Sequence, residues 1–503
     1  MPRYRVLPAM LMVCWLPAGA SLAGDLSLVT ALETITAADL QRHVEVLADD
    51  SFEGREAGSR GGRAAGVYVA QQLERLGLLP AGTDGGFYQT FGENYRNVLG
   101  IFEGADAELR SEFVVVGAHY DHVGYGNKQS SFGPLGFIHN GADDNASGVA
   151  GLLEVIEALS RLDPPPRRSV LFAFWDAEEN GLNGSKHWVA QPTVPLANVR
   201  IAINVDMIGR LRDDRLEISG ARTAGGLRGF ASRANEQDLL LEFTWEMRED
   251  SDHYSFFAAD VPTLMLHTGL HEDYHRPSDD ADRFNSPGTQ RVARYLFGLT
   301  HQLADAAALP AFRPQSRQET PEVQTLRERA LPAPPGRLGV RWDEAADSRG
   351  GLRVTGILAA SPARKAGLQA GDVILRFDGR DVTGGDELRG LVLAAGATAQ
   401  LTVHRAGDIE PREVTVVLPG SPVRLGISWR TDDAEPGALI VSRVLRGSPA
   451  WRAGIEVNDR LLALEGVPLI DGPDFTARVL AANGPFDLTI ERQGRVRAVT
   501  VSP

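Results

Sequence analysis

Cysteine is almost missing from this 503-residue chain. The one thiol, Cys14, sits near the N-terminus. A chain without that segment has no disulfide and no thiol chemistry. Basic residues are also in deficit, with 51 Lys and Arg against 66 Asp and Glu, a net charge of −15. That balance argues against nucleic acid, which favours a basic face. Long apolar runs are lacking too. The first such stretch, LPAMLMVCWLPAGA, covers 14 residues, too few to cross a bilayer comfortably. Arg3 and Arg5 precede it, and ASLA at 20–23 follows with small residues at the two positions a signal peptidase needs. The segment therefore reads as an export signal, residues 1–23, cleaved after Ala23. The destination is then periplasmic or extracellular, with no membrane anchor left behind. A retained anchor is the alternative. Cys14 does not follow the small residue that lipid attachment requires. Loss of the leader leaves 49 basic against 66 acidic residues, a charge of −17.

What is present is the composition of a soluble globular protein, 43% hydrophobic and 23% charged. The length predicts two to four domains. Residues 61–78 place Val67, Val69, Leu73 and Leu76 at helical spacing. Apolar runs at 113–118, 169–175, 201–206 and 261–267 read as buried strands. Residues 146–162 put Val149, Leu152, Leu153, Ile156 and Leu159 on one helical face, stopped by DPPP at 163–166. Another helix is expected at 289–306. Apolar strands alternating with helices indicate an α/β domain, with a mostly parallel mixed sheet and helices on both faces.

Near residue 309 the texture changes. Residues 309–336 are rich in proline and charge and read as a linker with one helical turn. A repeat follows. RLGVRW at 337–342 returns as RLGISW at 424–429, and SPARKAGLQAGD at 361–372 as SPAWRAGIEVND at 448–459. Both shifts equal 87 residues, so one small β-rich domain is present twice in tandem.

The strand ends carry the chemistry, because ligands of open α/β sheets gather beyond the carboxyl ends of the strands. GAHYDHVG ends the first strand with His119 and Asp121. FWDAEENGLNGS follows the second with Asp176, Glu178 and Glu179. NVDMIG ends the third with Asp206, and HEDYHRPSDD follows the fourth with His271 and His275. NGADDNASG opens the intervening helix with Asp143 and Asp144. Eight of the 11 histidines fall between 119 and 275. Carboxylates crowded at a strand end repel one another and are costly to desolvate unless something cationic holds them. Imidazole and carboxylate together suit zinc or a similar divalent ion. The set is too large for one ion and suits a pair about 3.5–4 Å apart bridged by a carboxylate.

GAHYDHVG, GADDNASG, FAFWDAEENGLNGS, NVDMIGR and DYHRPSDD, in that order, resemble the successive motifs of the dinuclear zinc aminopeptidases and glutamate-carboxypeptidase-like enzymes, metallopeptidase family 28. The resemblance covers about residues 36–305. It implies a zinc exopeptidase fold with two Zn2+ ions per chain. His119 and Asp206 would hold one, Glu179 and His275 the other, and Asp144 would bridge them. Asp121 would orient the His119 ring. Glu178, unligated beside a ligated neighbour, would be the general base. Tyr274 matches a position that steadies the reaction intermediate in some members. His122, His253 and His271 are given no metal by the motifs; Asp143 and Asp176 read as structural or hydrogen-bonding. The implied activity removes N-terminal residues from peptides through a water activated by the metals.

RLGV and RLGI, with SPAxxAG, resemble PDZ domains attached to periplasmic proteases. The loops Leu338-Gly339-Val340 and Leu425-Gly426-Ile427 would then receive a peptide or protein C-terminus, the peptide adding as a strand. The expected domains are 24–308 (zinc peptidase), 309–336 (linker), 337–420 and 421–503 (PDZ). Three rivals remain: an acidic-substrate carboxypeptidase using Arg210 or Arg276, a one-zinc glutaminyl cyclase, and a catalytically inert PDZ adaptor.

Overall fold

The computed structural model describes residues 22–83, 85–346 and 350–503. The expected leader lies outside the described residues except for Leu22 and Ala23, where the first helix, Leu22–Thr34, begins. Among the described residues no helix is long and apolar enough to cross a membrane.

The N-terminal part is built on a nine-stranded sheet. Its strands are β1 (Leu79–Pro80), β2 (Tyr88–Phe91), β3 (Tyr95–Phe102), β4 (Phe113–His119), β5 (Ser169–Trp175), β6 (Val199–Val205), β7 (Arg215–Ser219), β8 (Leu240–Phe243) and β9 (Thr263–His267). The spatial order is β1-β3-β5-β4-β6-β9-β7-β8, with β2 also paired to β3. The central block β5-β4-β6-β9 is parallel, as is β7 with β8. The pairings of β3 and the β7–β9 pair are antiparallel, so the sheet is mixed.

The all-apolar run of β5 follows from two-sided burial. Val170, Phe172 and Phe174 enter one core, whereas Leu171, Ala173 and Trp175 enter the other. The first core is closed by helices Ala37–Leu47, Arg60–Arg75, Gly148–Leu159 and Ser286–Asp305. The second is an aromatic group of Trp175, Trp188 and Phe256 with ring centroids 5.7–6.0 Å apart. Helix starts carry side-chain caps: Ser59 accepts from Gly62 N, and Asn285 from Gly288 N ahead of Pro287.

Residues 337–503 form two antiparallel six-stranded sheets with the same strand order. Each has its own hydrophobic core. The 87-residue repeat extends to charges that the alignment of apolar positions does not reveal. Arg405 grips Asp372 through Nε and Nη2 at 2.7 and 2.8 Å, and Arg492 grips Asp459 at 2.6 and 2.7 Å. Ser361 and Ser448 cap the two short helices Pro362–Lys365 and Pro449–Arg452 in the same way.

The second small domain returns to the first domain. Leu241 N donates to Gln493 O at 2.9 Å, Gly226 N to Ala434 O at 2.8 Å, and Asn235 Nδ2 to Gly494 O at 3.0 Å. Arg228 binds Glu491 with both Nε and Nη2, at 2.9 and 3.0 Å, while Arg222 reaches Asp432 at 2.8 Å and Glu319 at 2.7 Å. Within the small domain Arg460 binds Glu435 through two contacts of 2.8 and 3.0 Å. Arg222, Arg460, Glu435 and Glu491 are buried, and Arg228, Asp432 and Glu319 are partly so. Bidentate guanidinium–carboxylate contacts supply the hydrogen bonds that such burial requires. Residues 309–336 hold a 3-10 turn, Pro314–Gln318, and a helix, Pro321–Arg327. They lie along this junction, with Glu319 bound by both Arg222 and Arg313 and Leu331 N donating to Ser442 O.

Candidate metal centre

Parallel pairing in register sets His119 opposite Trp175 at the ends of β4 and β5. The turn carrying Glu178 and Glu179 therefore rises beside His119. Asp206 directly follows β6. Asp144 lies in an irregular turn, Ala142–Ser147, ahead of the Gly148–Leu159 helix. His275 comes from the loop after β9. This topology delivers all six side chains to one rim, and five of them, with His122, make up the candidate metal groups.

They fall into two groups that share one member. His119, Asp144 and Asp206 form the first; His122, Asp144, Glu179 and His275 form the second. His119 Nε2 is 3.2 Å from Asp144 Oδ1 and 3.3 Å from Asp206 Oδ1. His275 Nε2 is 2.8 Å from Asp144 Oδ2 and 3.3 Å from Glu179 Oε1. Asp144 thus turns one oxygen to each group. Two atoms bound to one tetrahedral ion at about 2.0–2.1 Å lie roughly 3.3 Å apart. The observed spacings fit that requirement, and the nitrogen–oxygen donor set fits zinc. Glu178 belongs to neither group.

The electrostatics are those of a cage of opposed charges. Burial alone would depress His119, but Asp206 and Glu178 outweigh it and raise it well above the usual range. Burial opposes the charge of His275 as well, yet its bonds to Asp144 and Glu179 push it up to about 11. Glu179 goes down to about 2, because His122 and His275 overcome both burial and the Asp144 charge. Glu178 moves the other way. Burial lifts its carboxyl well above the usual range, Glu179, Asp252 and Asp206 reinforce the shift, and His119 opposes it. The surroundings therefore push the two adjacent acids in opposite directions, Glu179 down and Glu178 up.

A supporting layer fixes the candidate ligand atoms. Ser251 Oγ donates to Asp206 Oδ2 at 2.7 Å and leaves Oδ1 toward His119. Asp279 Oδ2 accepts from the backbone N–H of Asp143 and Asp144, at 2.9 and 3.2 Å. Ser130 O lies 2.5 Å from His275 Nδ1. Asp121 accepts from Glu178 N and Glu179 N at 3.1 and 3.4 Å, so its carboxylate shapes the turn of the two acids. Its backbone O meets His119 Nδ1 at 3.1 Å, with the carboxylate 3.9 Å from that nitrogen. Beneath the site Arg55 is fully buried. It donates to four carbonyls, those of Leu47, Tyr120, Asn140 and Gly141. Gly141 has φ +56, and a Cβ there would stand 2.1 Å from Asp144 O and 2.5 Å from His122, so no larger residue fits under the shared carboxylate.

The peptidase family M28 model matches residues 97–300, and PDZ domain models match 336–417 and 440–492. The chain carries an M28 peptidase domain followed by two PDZ domains. Leupeptin-inactivating enzyme 1 of Streptomyces exfoliatus is 28% identical over 48% of this chain and 50% of its own. Probable leucine aminopeptidase 2 of Aspergillus fumigatus is 27% identical over 44% of this chain and 45% of its own. The chain thus spans about half the length of these relatives. The structure of the LapA aminopeptidase of Legionella pneumophila covers 56% of this chain and 76% of its own, at 18% identity and a TM-score of 0.47.

Within the M28 domain, three site residues escaped the motif reading. His122 Nδ1 lies 2.8 Å from Glu179 Oε1. The spacing HYDH, two histidines about one aspartate at a strand end, was the available signal. Ser251 and Asp279 had none beyond their positions near SDH and PSDD. Asp176 is buried, accepts from Arg96 N and Ala177 N, and is pushed up to about 6 chiefly by burial. His271 Nε2 is 3.0 Å from Asp143 Oδ2, and His253 is buried. The Tyr274 ring centroid is 3.8 Å from that of His275. Arg210 is bound to Asp279 at 2.9 Å and lies 3.4 Å from Asp273. In the PDZ domains Leu338 and Leu425 are buried, Gly339 and Gly426 have φ +76 and +86, and the strands begun by Val340 and Ile427 stand at the sheet edges.

Proposed function

We propose that the protein is an exported, zinc-dependent aminopeptidase that removes N-terminal residues from peptides. One observation carries the reading: Asp144 is shared by two imidazole–carboxylate groups while Glu178, beside a member of one group, stands outside both. His119, Asp206, Asp144, Glu179 and His275 would hold two zinc ions. Such ions supply Lewis-acid polarisation of a carbonyl and a more acidic water. Glu178 takes the proton from the attacking water and returns it to the leaving amine, restoring its starting state. Tyr274 donates its hydroxyl to the oxygen that gains negative charge. The upward shift of Glu178 favours its taking a proton from the attacking water.

The names of the relatives point the same way, and the engagement of Arg210 with Asp279 argues against its serving as the cation for a substrate C-terminus. The leader-like start supports export. The two PDZ domains would receive peptide or protein C-termini at their edge strands. A panel of aminoacyl-nitroanilides assayed with the wild type and Glu178→Gln tests the mechanism. Release by the wild type with a loss of about 10² to 10⁴ in kcat for the variant is expected. Equal rates would remove Glu178 from its role. Metal analysis should find two zinc ions per chain, and one would favour the cyclase reading.

A further inference from the structure

Residues 124–139 connect the end of β4 to the turn that carries Asp144. Of these 16 residues only Lys128 bears a full charge, and Tyr125, Phe132, Leu135 and Phe137 are all exposed. The segment is tied to the metal centre at one point. Phe132 N donates to His275 O at 3.1 Å, and Ser130 O receives the His275 ring at 2.5 Å. These bonds set the Phe132 ring 5.8 Å from the Tyr274 ring and 6.1 Å from that of His275. The ring nonetheless keeps 61% of its surface open.

A large aromatic side chain held by its own backbone beside a catalytic cluster, yet left uncovered, is not accounted for by core packing. It offers an apolar face where a substrate would lie, and aromatic faces of this kind anchor apolar side chains while excluding water from neighbouring polar contacts. We infer that Phe132 is a specificity-determining residue, forming one wall of the subsite for the substrate's N-terminal side chain and selecting apolar residues such as leucine and phenylalanine over alanine and over acidic residues. The inference rests on the aminopeptidase reading and names its substrate class. Phe132 acts by contact with substrate and takes no part in proton transfer.

The test compares X-Ala dipeptides, with X = Leu, Phe, Ala or Glu, in the zinc-loaded wild type, Phe132→Ala and Phe132→Leu. Removing an apolar wall is expected to lower kcat/KM for Leu-Ala and Phe-Ala by roughly 10- to 200-fold and to leave Ala-Ala nearly unchanged. Phe132→Leu should restore most of the Leu-Ala rate. Calorimetric titration of free L-leucine and L-alanine gives a readout apart from turnover, and Phe132→Ala should lose the preference for L-leucine. An equal fall for all four dipeptides would mean that Phe132 only supports the loop, and unchanged ratios would mean that it touches no substrate side chain. Either result overturns the inference while leaving the peptidase reading intact. Absence of hydrolysis by the wild type, with normal metal content, would instead overturn that reading and this inference with it.

Discussion

Replacing Arg228 by methionine would test whether the second PDZ domain (PDZ2) is held on the M28 domain by ionic contacts. Arg228 makes two bonds to Glu491, and its guanidinium lies 4.1 Å above the Phe243 ring. Glu491 is 3% exposed. In Arg228→Met it would keep Gly494 N at 2.7 Å and Arg460 Nε at 3.8 Å. Breaking one side of a buried pair costs about 3–5 kcal/mol, since the remaining charge has lost its solvent and its partner. Methionine retains much of the packing on Phe243, and Arg460 remains nearby, so the lower end applies, about 3 kcal/mol. That is roughly a hundredfold rise in the undocked fraction. Calorimetric unfolding should separate into two transitions, and trypsin should gain access at Arg329 and Arg424. Arg228→Met with Glu491→Gln should lose less than the sum of the single changes, with a coupling of roughly 0.5–3 kcal/mol. A shift within about 0.5 kcal/mol for Arg228→Met, or strict additivity in the double variant, would show that the network contributes nothing to docking. Burial pushes Glu491 up, but Arg228 prevails and holds it below the usual range, so its contribution is present at neutral pH and is lost as the solution is acidified.

Asp144→Ala should reduce bound zinc below two per chain by elemental analysis, because one carboxylate serves both groups; unchanged stoichiometry would sink the bridging role. Arg55→Met should destabilise the M28 domain by more than about 3 kcal/mol in denaturant unfolding, as four buried carbonyls lose their donor. Glu154, inside the first core, is pushed up to about 8 by burial. The unfolded chain releases this proton near 4.5 while the folded one keeps it, so stability falls as pH rises toward 8. His43 nearby is lowered to about 4 by burial and works oppositely below 6.5. The net decline should therefore appear between about pH 6.5 and 8, and Glu154→Gln should flatten it in thermal melts; an unchanged profile would refute the assignment.

Much of the candidate metal centre was legible because its proposed ligands sit at the ends of recognisable strands. The buried runs of β4, β5, β6 and β9 located the rim, and acids and histidines collect just beyond them. The flanking β7 and β8 were not legible. RLEIS and LLEF are short and carry charges, and their pairing depends on β9, which lies between them and the centre. His122 stayed unassigned because one residue's partner across the rim, Glu179, is set by the fold rather than by spacing. The PDZ2 docking surface left no trace in the pattern. Arg222 and Arg228 look like ordinary surface arginines until they meet acids 210 and 263 positions away. Proline and charge marked 309–336 as a connector, but composition does not reveal that Arg313 and Glu319 lock together against Arg222.

The return of PDZ2 to the first domain has a bearing on biosynthesis. Arg222 and Arg228 emerge from the ribosome long before Asp432 and Glu491, so early in the life of the chain these cations face water in a half-built crevice. A fragment stopped after the catalytic fold would keep that crevice open for good, with Leu241 and its neighbours uncovered, and would aggregate more readily than the intact polypeptide.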